Sequence, residues 1–187
     1  MAKIKKKASK NTGHRKKSKL GRDFARKLKD AETLAEIFEL VKDAVYYTMG
    51  HKRPGLMLGL AEIQAEQKKS IGSFYPLGSN FIIINKAPLR KIMEKNRRLY
   101  QPYVFHMLLR EYMHSFGIMD ENLIRQNVKK ISGSLFGKNH VVTALSTRFR
   151  KFFPDIIYSD PENYVKQENT GIEMVDNFDS SSTSYLR

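Results

Sequence analysis

Four ionisable side chains lie within nine residues of one segment, FHMLLREYMHSFG, at residues 105–117. They are His106, Arg110, Glu111 and His114. Two histidines four residues apart on a helix, with a glutamate directly after the first, hold zinc and activate a water molecule. Glu111 and His114 occupy the glutamate and second-histidine positions of that pattern, and Arg110 stands at the position of the first histidine. The segment therefore indicates either a metallopeptidase with shifted ligands or the same architecture without the chemistry.

The arginine argues against zinc. His106 precedes His114 by eight residues, about 12 Å along a helix, whereas zinc lies about 2 Å from each ligand nitrogen. Arg110 also brings a permanent positive charge to the place of the dication, and its guanidinium can pair with Glu111 or another carboxylate. His140 is a third ligand by position only, because the first pair is already incomplete. We therefore predict that Arg110, Glu111 and His114 are vestigial, with no catalytic residue, no metal and no cofactor.

The predicted helix that carries these residues has two different faces. Its apolar face collects Val104, Phe105, Leu108, Leu109, Tyr112, Met113 and Phe116, and the opposite face collects Tyr103, His106, Met107, Arg110, Glu111 and His114. A helix so apolar on one side belongs in a core. We expect its polar face to line a cleft or to meet a partner.

The surrounding sequence predicts an α+β domain with a small sheet and several helices. An amphipathic helix starts at the N-cap candidate Asp30 and stops at Gly50. Short apolar and β-branched runs with glycine and proline between them indicate strands over residues 51–85, and helical periodicity returns over residues 86–153.

Three spaced segments resemble the small archaeal zincin-like metallopeptidases of the minimal type: IGSFYPLGSNFIIINKAPL, LYQPYVFHMLLREYMHSFGIMDE and FGKNH. The resemblance covers about residues 31–153. It implies a zincin-like fold in which the strand Phe81–Asn85 borders the cleft and the helix of Glu111 forms its floor. Glu111 would match the general base and His114 one ligand. Arg110 departs from the family at the position that the chemistry needs most, which implies a pseudo-metallopeptidase.

Charge is unevenly placed along this chain of net charge +15. Residues 1–22 hold ten Lys or Arg and no acid, residues 23–158 carry +9, and residues 159–187 carry −4. We predict a basic disordered extension at residues 1–29, a zincin-like domain at 30–158 and an acidic flexible tail at 159–187, in which the segment 172–175 docks on a partner. The absence of cysteine excludes disulfides, and no apolar run approaches the roughly 18 residues of a membrane span, so a cytoplasmic protein is expected.

A chain this basic is stabilised beside a polyanion, because each cation that meets a phosphate releases counterions. No base-reading motif is present, so we expect recognition of backbone and shape. The prediction is a protein that binds structured RNA in the ribosome, with rRNA and neighbouring ribosomal proteins as partners and no membrane or small-molecule substrate. The predicted RNA-binding residues are Lys3, Lys5, Lys6, Lys7, Lys10, Arg15, Lys16, Lys17, Lys19, Arg22, Arg26, Lys27, Arg97, Arg98, Arg148, Arg150 and Lys151.

Three alternatives stay open. An active metallopeptidase would need Arg110 to swing away and another ligand to replace it. A peptide-binding module would add a peptide strand to the cleft strand, with the acidic tail as a competing occupant. DNA in place of RNA is compatible with the same phosphate contacts.

Overall fold

A computed structural model describes residues 19–63, 69–158 and 171–181. The helices are residues 19–30 (α1), Leu34–Met49 (α2), Lys86–Asn96 (α3), Tyr100–Ser115 (α4), Glu121–Phe136 (α5) and Val141–Phe152 (α6), with a 3₁₀ turn at Arg97–Leu99. The strands are Met57–Ala61 (β1), Ser70–Ile71 (β2), Ser73–Phe74 (β3), Phe81–Asn85 (β4), Ile156–Ile157 (β5) and Glu173–Met174 (β6). The predicted α+β class is confirmed.

Local sequence signals set the ends of two helices that flank the centre of the domain. Thr33 caps α2 in a capping box with Glu36, and Gly50 ends the same helix in the left-handed conformation at φ 75°. Asp120 caps α5 by accepting from the backbone N–H groups of Asn122 and Leu123. These caps pair backbone groups that the helices themselves leave unpaired.

The main sheet has the strand order β3-β4-β1-β6. β1 and β4 run parallel with Leu58 opposite Ile82, whereas β3 and β6 are antiparallel to their neighbours. A second, parallel pair joins β2 to β5. The buried Asn85 side chain donates to the carbonyls of Ile63 and Ile71 and accepts from the N–H that opens α3. This amide ties the end of β4 to its neighbouring loops.

Helix α4 lies at the centre of the core. Every residue from Pro102 to Ser115 is buried, on both the apolar and the polar face. Helices α2, α5 and α6 pack against it, and β3 and β4 of the sheet also contact it. The expectation of a cleft is confirmed for His106 and Arg110, which line a concave pocket, whereas other parts of the same chain cover the rest of the polar face.

Helix α1 corrects the predicted start of the folded domain. Phe24 and Leu28 are each 2% exposed and belong to the main core, where Phe24 meets the ring of Phe136 edge to face. A Cβ at Gly21 would lie 2.6 Å from a carbonyl oxygen of α5, so this close approach requires glycine. Residues 19–29 are thus helical and packed. The rest of the predicted extension, residues 1–18, lies outside the described residues.

The segment 171–181 corrects the predicted flexible tail. β6 pairs with β1, the ring of Phe178 stacks on Phe38 at 4.1 Å, and Asp179 forms an ion pair with Lys42. Both charged side chains are 2% exposed, and Asp179 also accepts from the N–H of Leu56 at 3.0 Å. The part of the tail that was expected to dock on a partner docks on its own sheet. Residues 159–170 and 182–187 lie outside the described residues.

Within the described ranges, no helix combines the length and the apolarity needed to cross a membrane.

Candidate functional site

The three vestigial residues predicted on α4 are all buried, with 2% exposure for Arg110, 3% for Glu111 and 2% for His114. One guanidinium nitrogen of Arg110, Nη2, donates to both carboxylate oxygens of Glu121 at 2.9 Å each. Glu121 stands in the first turn of α5. Arg110 on α4 thus pairs with a carboxylate of α5, and a pairing of its guanidinium with a carboxylate was predicted from the sequence.

The His114 imidazole contacts the same carboxylate. Its Nε2 lies 3.3 Å from Glu121 Oε1, and its Nδ1 lies 3.1 Å from the carbonyl oxygen of Ile118. Partial burial acts to raise the pKa of Glu121, but the His114 hydrogen bond and the charge of Arg110 lower that pKa to about 2. Glu121 is therefore ionised at neutral pH and holds both basic side chains in place.

Glu111 is held apart from this ion pair by a contact with the sheet. It accepts a hydrogen bond from the hydroxyl of Ser73 on the edge strand β3 at 2.7 Å. Burial raises the pKa of Glu111, against the lowering effects of Arg110, His114 and the Ser73 hydrogen bond. The strand Phe81–Asn85 was expected to border the cleft, but as β4 it lies inside the sheet. The strand that contacts Glu111 is β3.

His106 and His140, the other histidines considered as metal ligands, each make contacts away from His114. His106 Nε2 lies 2.8 Å from the hydroxyl of Tyr158, and His140 caps α6 and stacks on Phe136. Among the residues that the structure describes, no group of three or more His, Cys, Asp or Glu side chains is arranged to hold a metal ion.

A concave pocket of about 460 Å³ opens beside the polar face of α4, and we call it the basic pocket. Its cations are the exposed Arg125, Arg148, Arg150 and Lys151, together with the buried Arg110. None of its lining residues in the described part of the chain is acidic. The four exposed cations form no ion pair within residues 19–63, 69–158 and 171–181.

A kink in α6 brings Arg150 to the same pocket as Arg148 and Lys151. Arg148 has non-helical backbone angles, φ −137° and ψ 35°. In a regular helix Arg150 would point about 200° away from Arg148, onto the opposite face. With the kink, all seven residues from 145 to 151 line the basic pocket.

Aromatic rings form the inner wall of the basic pocket. The guanidinium carbon of Arg110 lies 3.6 Å from the ring centroid of Tyr158, a cation–π contact. His106 stacks on Phe149 with ring centroids 5.1 Å apart. Burial, with a smaller effect of Arg110, lowers the pKa of His106 to about 3, so this imidazole is neutral at pH 7.

The other predicted RNA-binding residues are distributed over different surfaces. Arg97 and Arg98 are exposed on the 3₁₀ turn before α4 and do not line the basic pocket. Lys19, Arg22 and Arg26 line a separate depression on α1. Arg26 and Lys27 both pair with Asp23, at 2.8 and 3.4 Å. The remaining predicted residues, Lys3 to Lys17, fall outside the described residues.

Several site residues were not among those predicted from the sequence. Glu121 ends the second segment of the family resemblance, LYQPYVFHMLLREYMHSFGIMDE, and Arg125 is a basic residue of the predicted helical region 86–153, so both had a signal. Ser73 and Tyr158 had none, because each reaches the site from an element distant in sequence.

Comparisons of the chain with protein-family models, with curated proteins and with solved structures gave no match. The zincin-like resemblance therefore stays a prediction, and the function proposed below is based on the geometry of the site.

Proposed function

We propose that this chain is a catalytically inactive, zincin-like protein that binds structured RNA, as a component or close associate of the ribosome in the cytoplasm. The observation that carries the proposal is the basic pocket, where four exposed cations meet without an ion-pairing carboxylate in the described residues. Such a cluster of like charges is unfavourable in the free protein. Phosphates relieve the repulsion and release their counterions on contact.

The contrast with α3 supports this assignment. Three of the four basic residues on α3 have ion-pair partners: Lys86 pairs with Glu173, Arg90 with Glu62 and Lys91 with Asp155. Net charge alone does not distinguish the two surfaces, but the ion pairs do. The surface around α5 and α6 is therefore the better candidate for a polyanion.

Loss of peptidase chemistry is supported by the Arg110–Glu121 pair. A hydrolytic zinc site needs ligands that are free to bind the ion and a position open to water. Here a guanidinium lies against the Glu121 carboxylate, and Glu111 is buried against Ser73. In this proposal the chain keeps the zincin-like fold and has lost the peptidase chemistry.

Structured RNA is proposed over a specific base sequence because the cations are long side chains suited to phosphate. The basic residues 1–18 extend the same charge, and such an extension on a small basic domain is typical of ribosomal proteins that bind rRNA. rRNA and neighbouring ribosomal proteins are the proposed partners.

Sedimentation tests the proposal. In a lysate gradient at physiological salt, the protein should migrate with ribosomal particles and stay there after nuclease treatment that clears mRNA and DNA. The pocket triple variant, Arg148→Gln, Arg150→Gln and Lys151→Gln, should shift toward free protein. The paired triple variant, Lys86→Gln, Arg90→Gln and Lys91→Gln, removes the same charge and should stay. Wild-type protein at the top of the gradient, or moving only with chromosomal DNA, contradicts the proposal.

A peptide-binding module is the second candidate, and the β1–β6 pairing favours it. A short segment of the chain already adds an antiparallel strand to the sheet, as a bound peptide would. A synthetic peptide of residues 171–181 should then bind a variant truncated after residue 170. Failure to bind removes this candidate.

A further inference from the structure

The inner wall of the basic pocket contains buried nitrogen atoms without partners. Nε of Arg110 and Nδ1 of His106 have no hydrogen-bond partner among the described residues, and each side chain is 2% exposed. Both residues line the basic pocket. A buried donor without an acceptor destabilises the fold. An anion in the pocket would supply an acceptor to the Arg110 N–H, which is always a donor.

The size and shape of the pocket suit a small group held at one end. Its volume of about 460 Å³ falls within the roughly 300–1,000 Å³ of small-ligand sites. Buried residues of α4 close its inner side, while Arg125 on α5 and Arg148, Arg150 and Lys151 on α6 surround it. A continuous strand can run along a groove, whereas a pocket closed on one side is better filled by a chain end.

The charge favours a phosphate monoester over a diester or a carboxylate. Glu121 already balances Arg110, which leaves four exposed cations for the ligand. A terminal phosphate carries about 1.5 to 2 negative charges near pH 7, and arginine binds phosphate oxygens in pairs. The Tyr158 ring already contacts Arg110 and Phe149 in the wall, so the cations are the groups that recognise the ligand.

We infer that the basic pocket holds the terminal phosphate of an RNA strand. The inference rests on the proposed RNA-binding function and names the part of the RNA that this pocket takes. A free nucleotide has the same chemistry, and the experiment distinguishes the two sources.

The test uses the full-length chain and a short labelled single-stranded RNA, phosphorylated at one end, at the other end, or at neither. Fluorescence anisotropy gives the three dissociation constants, and AMP serves as a competitor. Wild-type protein should bind one phosphorylated form at least about tenfold more tightly than the hydroxyl form, as expected from one charge-assisted hydrogen bond. AMP should compete far more weakly than that RNA.

The pocket double variant Arg148→Gln with Arg150→Gln should lose this preference. The control Arg97→Gln with Arg98→Gln removes the same charge outside the pocket and should weaken all three RNAs equally while keeping the preference. All four side chains are exposed, so both variants should unfold at the wild-type temperature.

Each other outcome is decisive. Equal affinity for phosphorylated and hydroxyl RNA, with salt-dependent binding retained, overturns the pocket assignment and leaves the proposed function standing. Binding of AMP without binding of any RNA overturns both. Loss of the preference in the control variant to the same extent as in the pocket variant assigns the end recognition to general surface charge and overturns the inference.

Discussion

Arg110 Nη2 lies 2.9 Å from both carboxylate oxygens of Glu121, and Nε2 of His114 lies 3.3 Å from one of them. The guanidinium thus pairs with a carboxylate that also contacts an imidazole, and both of those groups could serve as metal ligands. The cation at this position is the side chain of Arg110, which is always charged.

Arg110→His is predicted to create zinc affinity, because the new imidazole would stand one helical turn before His114 with Glu121 as a third ligand. Wild-type protein should contain no stoichiometric zinc after dialysis, and the variant about one ion per chain by elemental analysis. Arg110→Gln, which removes the charge without adding an imidazole, is the control. Stoichiometric zinc in the wild type would refute the vestigial assignment.

Asp179→Asn is predicted to destabilise the fold by about 1–3 kcal/mol, because it removes one of the two carboxylates that pair with the buried Lys42, and Glu39 remains. Urea unfolding measures the loss. Lys86→Gln breaks the exposed pair with Glu173 in the same segment and should change stability by less than about 1 kcal/mol. If the two variants lose equal stability, burial does not set the strength of the Lys42–Asp179 pair.

Stability is predicted to fall as the pH drops below 6.5, because the pKa of His106 is lowered from 6.5 to about 3 in the fold. The unfolded chain binds a proton at this imidazole that the folded chain does not bind. The free energy of unfolding therefore falls by up to about 1.4 kcal/mol per pH unit. His106→Gln should flatten the dependence between pH 6.5 and 5. The lowered pKa of Glu121 adds a second loss only below its usual value of 4.5. An unchanged slope in the variant would mean that His106 is protonated in the fold.

Glu111→Gln is predicted to leave stability unchanged or to raise it at pH 7, because burial raises the pKa of the Glu111 carboxyl in the fold. A group whose pKa is raised in the fold contributes fully to stability below the pKa that it has in the unfolded chain. That contribution is lost as the pH rises. The stability of the variant relative to the wild type, measured by urea unfolding, should therefore increase from pH 4 to pH 7. A loss at pH 7 would show that an ionised Glu111 supports its basic neighbours.

Local patterns predicted most of the fold. The helix of Glu111, the strand run ending at Asn85 and the helix end at Gly50 depend on neighbours in sequence, and such signals are read directly from spacing. The short strands and their order were not predictable, because a two-residue strand such as β6 has no periodicity of its own. Its position is set by the remote partners Phe38 and Lys42.

The uneven charge led to wrong predictions at both ends of the domain. The lysine-rich composition of residues 1–29 concealed Phe24 and Leu28, which are one helical turn apart and reach the core. The acidic tail concealed Asp179, whose partner lies 137 residues earlier. At the site, the sequence identified Arg110 as the departure from the zinc pattern. The basic pocket was only partly visible, since the kink at Arg148 is a tertiary feature.

The salt dependence of binding to a structured RNA tests whether the basic pocket contacts phosphates. Purified full-length wild type, the pocket triple variant and the paired triple variant are titrated with one folded RNA over a range of salt concentrations. The pocket variant should lose about 2 to 3 units of the slope of log K against log salt, one for each phosphate contact removed. The paired variant, with the same net charge, should keep the wild-type slope. Equal slopes for the two variants, whether both reduced or both unchanged, would contradict RNA binding through the basic pocket.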